Sequence, residues 1–260
     1  MKPFRFITIS TLLLLLACGQ PEEQNGQNGQ KEQREQREQK EDQEAPTTAQ
    51  ESPEPGDSVT QTTSDATASI LSAMESDIDK TDPRWKLKVT EPPLQAFASE
   101  DTYFWIVETN KGTMRFRLLH ESAPRHVSHL IHLTRIGFYD ETIFHRAIKG
   151  FMAQGGDPTG TGRGGPGYRI DLEIDPALSH TRGILSTANT GRPTSDGSQF
   201  FIMYDTSTFL DGKYSIFGEL VSGQETLALF EEASNDRDGP PTETLDLISA
   251  RIEVESTGGA

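Results

Sequence analysis

Cysteine is almost absent. Cys18 is the single one in 260 residues, and a lone cysteine cannot close an internal disulfide. Positive charge is also scarce: 24 Lys and Arg stand against 40 Asp and Glu, a formal net charge of −16. Such a chain has no electrostatic footprint for nucleic acid, so none is expected as a partner. The apolar run from Phe6 to Ala17 is too short to span a bilayer. From Gln20 to Glu44 there is no aliphatic residue, and the stretch on to Ser69 is rich in Ser, Thr, Pro, Asp and Ala. Neither part can bury enough apolar surface to offset the entropy of ordering the chain. No serine stands in a G-x-S-x-G elbow, so an esterase-type nucleophile has no support.

What is present divides the chain. Lys2 and Arg5 precede the apolar run, which holds five consecutive leucines and ends in Leu15, Leu16, Ala17 and Cys18. This is a signal-peptide pattern, and Leu-x-small-Cys resembles the bacterial lipoprotein box. The resemblance implies removal of residues 1–17 and acylation of Cys18, an anchor exceeding the two signals that stable membrane attachment needs. Residues 18–99 are read as a lipid-anchored, disordered acidic linker. Residues 18–100 carry 18 acidic and 8 basic residues. A flexible tether of this length reaches about 50 Å root mean square. Within it, Ile70–Ile78 and Trp85–Val89 carry some apolar residues and are expected to pack on the main domain as a short helix and an added strand.

Residues 100–256 are long enough for one domain with its own core. Tyr103–Glu108 reads as a strand, and Thr109–Gly112 as a hairpin turn. Met114, Phe116 and Leu118 then alternate with Arg115 and Arg117, as in a half-buried strand. Ala123 and Pro124 open a helix running to Ile136, with Gly137 ending it. Further β-rich runs follow at 142–146, 183–188, 199–204, 214–220 and 245–254, with a second helix over 223–232. Many short strands with two helices predict a closed antiparallel barrel.

The chemistry centres on Phe144–Asp157, FHRAIKGFMAQGGD. One cation, Arg146, stands five residues before the apolar pair Phe151 and Met152, and the uncharged Gln154 follows. This predicts a desolvated pocket holding one fixed cation over an apolar ligand. With no nucleophile, base or metal cluster beside it, the pattern points to chemistry in which no bond is made or broken. FHRAIKGFMAQGGDPTGTGRGGPG, STAN (Ser186–Asn189), GSQFFI (Gly197–Ile202) and FLDGKYSIFGEL (Phe209–Leu220) together resemble the cyclophilin-type peptidyl-prolyl cis-trans isomerases. The resemblance covers about three fifths of the chain.

That resemblance implies a closed eight-stranded antiparallel barrel capped by two helices, with the site in a groove on its outer face. It implies Arg146, Gln154 and Phe201 as catalytic residues. Arg146 would donate to the prolyl nitrogen of the twisted amide. Phe151, Met152, Phe201 and Leu210 would form the hole for the proline ring. Gln154 and Asn189 would bond the substrate backbone, Ala188 would offer a backbone contact, and Gln199 would orient Arg146 or the substrate. His145 would lie at the site's edge. No cofactor or metal is implied. Two departures stand at Phe209, where the family often has Trp, and at Tyr214, where it often has His. Phe209 keeps an apolar wall but lacks an indole N–H donor. Weak cyclosporin binding is therefore expected, and a submicromolar inhibition constant would refute it. The loop Thr190–Asp196 is one residue longer than usual.

Other motifs carry less. Gly160, Gly162 and Gly165 satisfy G-x-G-x-x-G, but a dinucleotide site needs a strand before and a helix after. Asp157-Pro158 and Pro166-Gly167 allow neither, so a tight loop is the better reading. His126, His129 and His132 recur every three residues on the first predicted helix, which turns the outer two about 120° apart; they are read as surface histidines, with a metal shared by an adjacent pair as the lesser alternative. The expected protein is a monomeric isomerase of Xaa-Pro bonds, tethered in the cell envelope and facing outside the cytoplasm, with exported proteins as clients. A chaperone-like binder of proline-containing segments and an envelope scaffold acting through the acidic linker are the rival readings.

Overall fold

The computed structural model describes residue 72 and residues 74–256. The expected signal peptide, Cys18 and most of the expected linker lie outside the described residues. Two strands form the first hairpin: β1 (Asp101–Thr109) and β2 (Gly112–Leu118). Their in-register antiparallel pairing places Trp105 opposite Phe116 and Val107 opposite Met114. On β2, Met114, Phe116 and Leu118 are buried, as the alternation predicts. Arg115 and Arg117 face out and pair with Glu253, Glu255 and Glu219.

Helix α1 spans Pro124–Arg135 and α2 spans Gln224–Glu232, both close to expectation. Gly137 takes φ +71 just past α1, and Gly223 takes φ 97 at the start of α2. Both values suit glycine because a Cβ would clash there. The remaining strands are β3 (Thr142–Ile143), β4 (Arg146–Ile148), β5 (Met152–Gly155), β6 (Ile170–Asp171), β7 (Ile184–Thr187), β8 (Thr194–Ser195), β9 (Phe200–Met203), β10 (Ile216–Ser222) and β11 (Asp246–Ser256).

The main sheet has nine strands in the order β3-β11-β1-β2-β10-β7-β9-β5-β4, and β6 pairs with β8 separately. The pairings are antiparallel. The expected closed eight-stranded barrel is therefore corrected to an open nine-stranded half-barrel. The physical reason lies at 142–148. Its first part, 142–146, is expected as one β-rich run, but the stretch splits: β3 pairs with β11, whereas β4 pairs with β5 at the opposite edge. The two edge strands are joined by Phe144 and His145 and do not form a ladder with each other.

The core is aromatic. Trp105 lies edge-on to Phe200 at 5.0 Å and to Tyr139 at 5.4 Å, and Phe144 lies edge-on to both Phe200 and Phe230. Such packing adds to area burial because ring edges and faces carry opposite partial charge.

Two expectations are corrected by packing. Within residues 74–99, Val89 is buried, and Ile78, Trp85 and Phe97 pack against the core. Trp85 meets Phe138 edge-on at 6.4 Å, and Val89 N–H donates to Pro166 O. Residues 74–76 are helical, but Trp85–Leu87 is a 3-10 turn and not a strand. The three histidines of α1 are not on the surface. His126, His129 and His132 are each at most 3% exposed, because the covering segment and the Glu173 loop close over that side of the helix. His126 Nδ1 lies 2.6 Å from Glu173 Oε2, and His129 packs edge-on to Tyr168.

Candidate active site

Three adjacent strands set the site by register. Arg146 on β4 lies directly opposite Gln154 on β5, and Gln154 lies opposite Phe201 on β9. Cross-strand neighbours share a face of the sheet. A one-residue slip would turn all three away. The pairing thus brings a cation, an amide and an aromatic ring, distant in sequence, into one row.

Beside this row is a cavity of about 270 Å³ lined by Arg146, Phe151, Met152, Gln154, Ala188, Asn189, Phe201, Phe209, Leu210 and Tyr214. Met152, Phe201 and Leu210 are nearly buried. Tyr214 meets Phe201 edge-on at 5.6 Å. Phe209 is 63% exposed and stacks on Phe151 at 5.8 Å, forming an apolar lip. One side of the hollow is apolar and has room for a small ring, with one guanidinium at its margin.

Arg146 is held on two sides. Its Nη1 donates to Gln154 Oε1 at 3.2 Å, while Nε and Nη2 donate to the two carboxylate oxygens of Asp238 at 2.6 and 3.1 Å. Hydrogen bonding from that guanidinium lowers the Asp238 pKa. Gln154 Nε2 donates to Gln199 Oε1 at 2.9 Å, and Gln199 Nε2 donates to Gly164 O at 2.8 Å. The polar side of the pocket is therefore a continuous chain of donors and acceptors.

Behind Phe201 stands His180, fully buried and stacked on that ring at 5.9 Å. Its Nδ1 lies 2.7 Å from Asp211 Oδ1, and its Nε2 lies 3.1 Å from Ser186 Oγ. Burial lowers the His180 pKa against the opposing pull of Asp211. The set resembles a Ser-His-Asp triad in composition only. Ser186 is fully buried and donates to Ser215 O, so no substrate reaches it. The unit braces the pocket floor.

The glycine-rich loop after β5 is tied down by Asp157. One carboxylate oxygen accepts from Thr159 N–H at 2.7 Å, and the other accepts from Thr161 N–H and Arg163 N–H at 3.0 Å each. Burial pushes the Asp157 carboxyl up, but these bonds, led by Thr159, outweigh it and bring the pKa to about 2. Gly160 and Gly162 take φ +67 and +80, and the next element is the strand Ile170–Asp171 and not a helix, in keeping with a tight loop.

Ten of the twelve expected site residues line the pocket. His145 does not: a Cβ on Gly162 would lie 3.3 Å from its ring, so it packs beneath the glycine loop. It precedes β4, where alternation sends it away from the Arg146 face. Gln199 lines an adjoining cleft, also lined by Thr190, and touches Gln154 rather than Arg146. Asn189 lines the pocket, yet its side chain is already engaged, donating to Lys213 O and accepting from Gly191 N–H. The sequence reading missed Asp238, His180 and Asp211. Asp238 and His180 come from distant loops, Asp211 directly follows Leu210, and nothing local marks the role of any of them.

Comparison with known proteins gives one consistent family. The family model described as cyclophilin type peptidyl-prolyl cis-trans isomerase/CLD matches residues 104–252. "Peptidyl-prolyl cis-trans isomerase-like 1" of Gibberella zeae is 45% identical over 157 residues, covering 58% of this chain and 94% of that protein. "Peptidyl-prolyl cis-trans isomerase CYP18-1" of Arabidopsis thaliana is 40% identical, covering 59% and 98%. A crystal structure of a cyclophilin type peptidyl-prolyl cis-trans isomerase from Cryptosporidium parvum, in the presence of the dipeptide Ala-Pro, is 41% identical with a TM-score of 0.55, covering 58% and 98%. These relatives are eukaryotic and lend no support to a bacterial lipoprotein context.

Proposed function

This chain belongs to the cyclophilin-type peptidyl-prolyl cis-trans isomerases, and from that membership we propose that Arg146 drives rotation about Xaa-Pro bonds bound in the pocket of Phe151, Met152, Phe201 and Leu210. The barrier to that rotation is about 18–20 kcal/mol and comes from amide resonance. In the twisted state the prolyl nitrogen regains a lone pair, which planar amides lack. A guanidinium donating to that nitrogen binds the twisted state more strongly than either planar isomer, and such differential binding accelerates the step. Arginine suits the task because it stays protonated and its fork is stiff.

The observation that carries this reading is the row Arg146–Gln154–Phe201, which sets the cation beside the apolar hollow. Met152 and Phe201 seat the ring. Gln154 holds Arg146 and, with the backbone at Ala188 and Asn189, faces the substrate chain. The Ala-Pro dipeptide in the related crystal structure supports proline-containing peptides as the substrate class. Phe209 offers an apolar lip without an N–H donor, which accords with weak cyclosporin binding.

The test is cis-to-trans conversion of a Xaa-Pro peptide by the full-length chain and by Arg146→Ala. Loss of at least a hundredfold in kcat/KM, about 2.7 kcal/mol, is expected. A folded Arg146→Ala variant that retains turnover overturns the mechanism. A folded parent that accelerates nothing but suppresses aggregation of proline-rich chains favours the binder instead.

The leader sequence ending Leu15-Leu16-Ala17-Cys18 supports an anchored form acting on newly exported chains, with residues 18–71 as tether. Uncatalysed isomerisation takes tens to hundreds of seconds, so exported proteins would gain from a catalyst. Mass spectrometry of the N-terminal peptide from cells tests this: an acylated Cys18 is expected, and an unprocessed Met1 terminus refutes it.

A further inference from the structure

We propose that Asp238 is a positioning residue that aims the Arg146 guanidinium at the reacting amide. This rests on the role given to Arg146 above. The carboxylate takes the Nε and Nη2 edge of the guanidinium in a two-pronged pair, at 2.6 and 3.1 Å. That arrangement matches the planar geometry of both groups and fixes direction as well as distance. Nη1 is then the nitrogen left on the pocket side, where it meets Gln154 Oε1.

The loop that carries Asp238 is stitched to the strand that carries Arg146. Asn235 N–H donates to Ala147 O, and Ala147 N–H donates to Gly239 O, both at 3.0 Å. Lys149 N–H also donates to Asn235 O at 2.9 Å. Both ends of the 235–239 segment therefore return to the residue next to Arg146. Within it, Arg237 N–H donates to Asn235 Oδ1, closing a local turn. Asp238 is thus held opposite Arg146 by backbone bonds, although its own side chain is 70% exposed.

An exposed ion pair of this kind contributes little to stability. Its effect falls on the arginine. Arg146 has a long side chain that is one third exposed, and without a partner on its outer edge it samples solvent-facing rotamers. Gln154 alone offers a single acceptor and cannot fix the guanidinium plane. With Asp238 in place, the plane is held from both sides and the chain Asp238–Arg146–Gln154–Gln199 runs unbroken.

The experiment uses the full-length chain and the variants Asp238→Ala, Asp238→Glu, Arg146→Ala and the double variant. Asp238→Ala is expected to lower kcat about three- to tenfold with KM within twofold, because the apolar hole is untouched. Asp238→Glu restores part of the loss. The double variant is no slower than Arg146→Ala. Nitrogen-15 NMR supplies a readout without turnover: the Arg146 Nη signals are separate in the parent and averaged in Asp238→Ala. Melting points within 2 °C of the parent exclude unfolding as the cause. If Arg146→Ala abolishes turnover while Asp238→Ala keeps parental kcat, the positioning role is overturned and the Arg146 role stands. Faster turnover in Asp238→Ala also overturns it, since the pair would then restrain the arginine. Full activity in Arg146→Ala overturns both.

Discussion

Phe200 and Phe201 are adjacent on β9 yet face opposite sides, and truncating each should have opposite consequences. Phe200 is 1% exposed and meets three rings edge-on: Trp105 at 5.0 Å, Phe144 at 5.8 Å and Tyr139 at 5.9 Å. Phe200→Ala empties a closed space between them. The lost transfer energy and the residual cavity together cost about 3–5 kcal/mol, a large part of a total stability of about 5–15 kcal/mol. For a domain of this size, each kcal/mol moves Tm by about 2–4 °C, so a fall of about 6–20 °C is expected. Phe201 borders the open pocket, so Phe201→Ala enlarges a cavity that water already reaches. Its cost is closer to the transfer term alone, about 1.5–3 kcal/mol. Urea unfolding and a Xaa-Pro isomerisation assay on the same samples read both quantities. Phe200→Ala, assayed well below its midpoint, should keep kcat/KM within a few fold, whereas Phe201→Ala should lose most of it. A Phe200→Ala cost below 1.5 kcal/mol, or normal turnover in Phe201→Ala, would show that the two faces are not divided in this way.

Three further outcomes follow from the packing and the charges. His129 and His132 are buried and held neutral, their pKa values lowered by burial to about 3 and about 4. Since the unfolded chain protonates near 6.5, stability should be full above that pH and fall progressively toward pH 4, by on the order of 3 kcal/mol for His132 alone. Denaturant midpoints at pH 7.5 and 5, compared with those of His132→Asn, check this, and a pH-independent midpoint counts against it. Asp157 behaves in the opposite way: its lowered pKa stabilises the loop above the ordinary carboxylate range, and that contribution is lost as pH falls through about 2. Asp157→Ala should loosen residues 159–164, seen as faster amide exchange at Thr159, Thr161 and Arg163; unchanged exchange contradicts the anchoring role. Trp85→Ala removes the edge contact to Phe138 and should lower stability by about 1–3 kcal/mol; no change in the denaturant midpoint would mean that the Trp85 contact adds nothing to the fold.

The local elements were legible in the residues. The β1–β2 hairpin and α1 lie within a few residues of expectation, because alternation and helix-end signals act over a few positions. The members of the pocket were legible mainly through resemblance to a family, since Phe201 and Met152 read equally well as core. Three strands escaped notice. β5 is MAQG, with no β-branched residue, and β6 and β8 are two residues each. Their state is decided by pairing partners and not by their own propensity.

Sequence by itself determined the chemistry available: one arginine, an amide two residues past an apolar pair, and aromatic residues spread over two later runs. These are properties of side chains, and no folding is needed to list their capacities. The tertiary structure decided who meets whom. Strand register places Arg146, Gln154 and Phe201 in one row. The return of the 235–239 segment to Ala147 puts Asp238 against an arginine 92 residues earlier. Closure of residues 74–99 and the Glu173 loop over α1 buries three polar histidines. Each of these depends on contacts between distant segments, whose loop-closure entropy is met only when the whole core forms. For that reason no local pattern announces them.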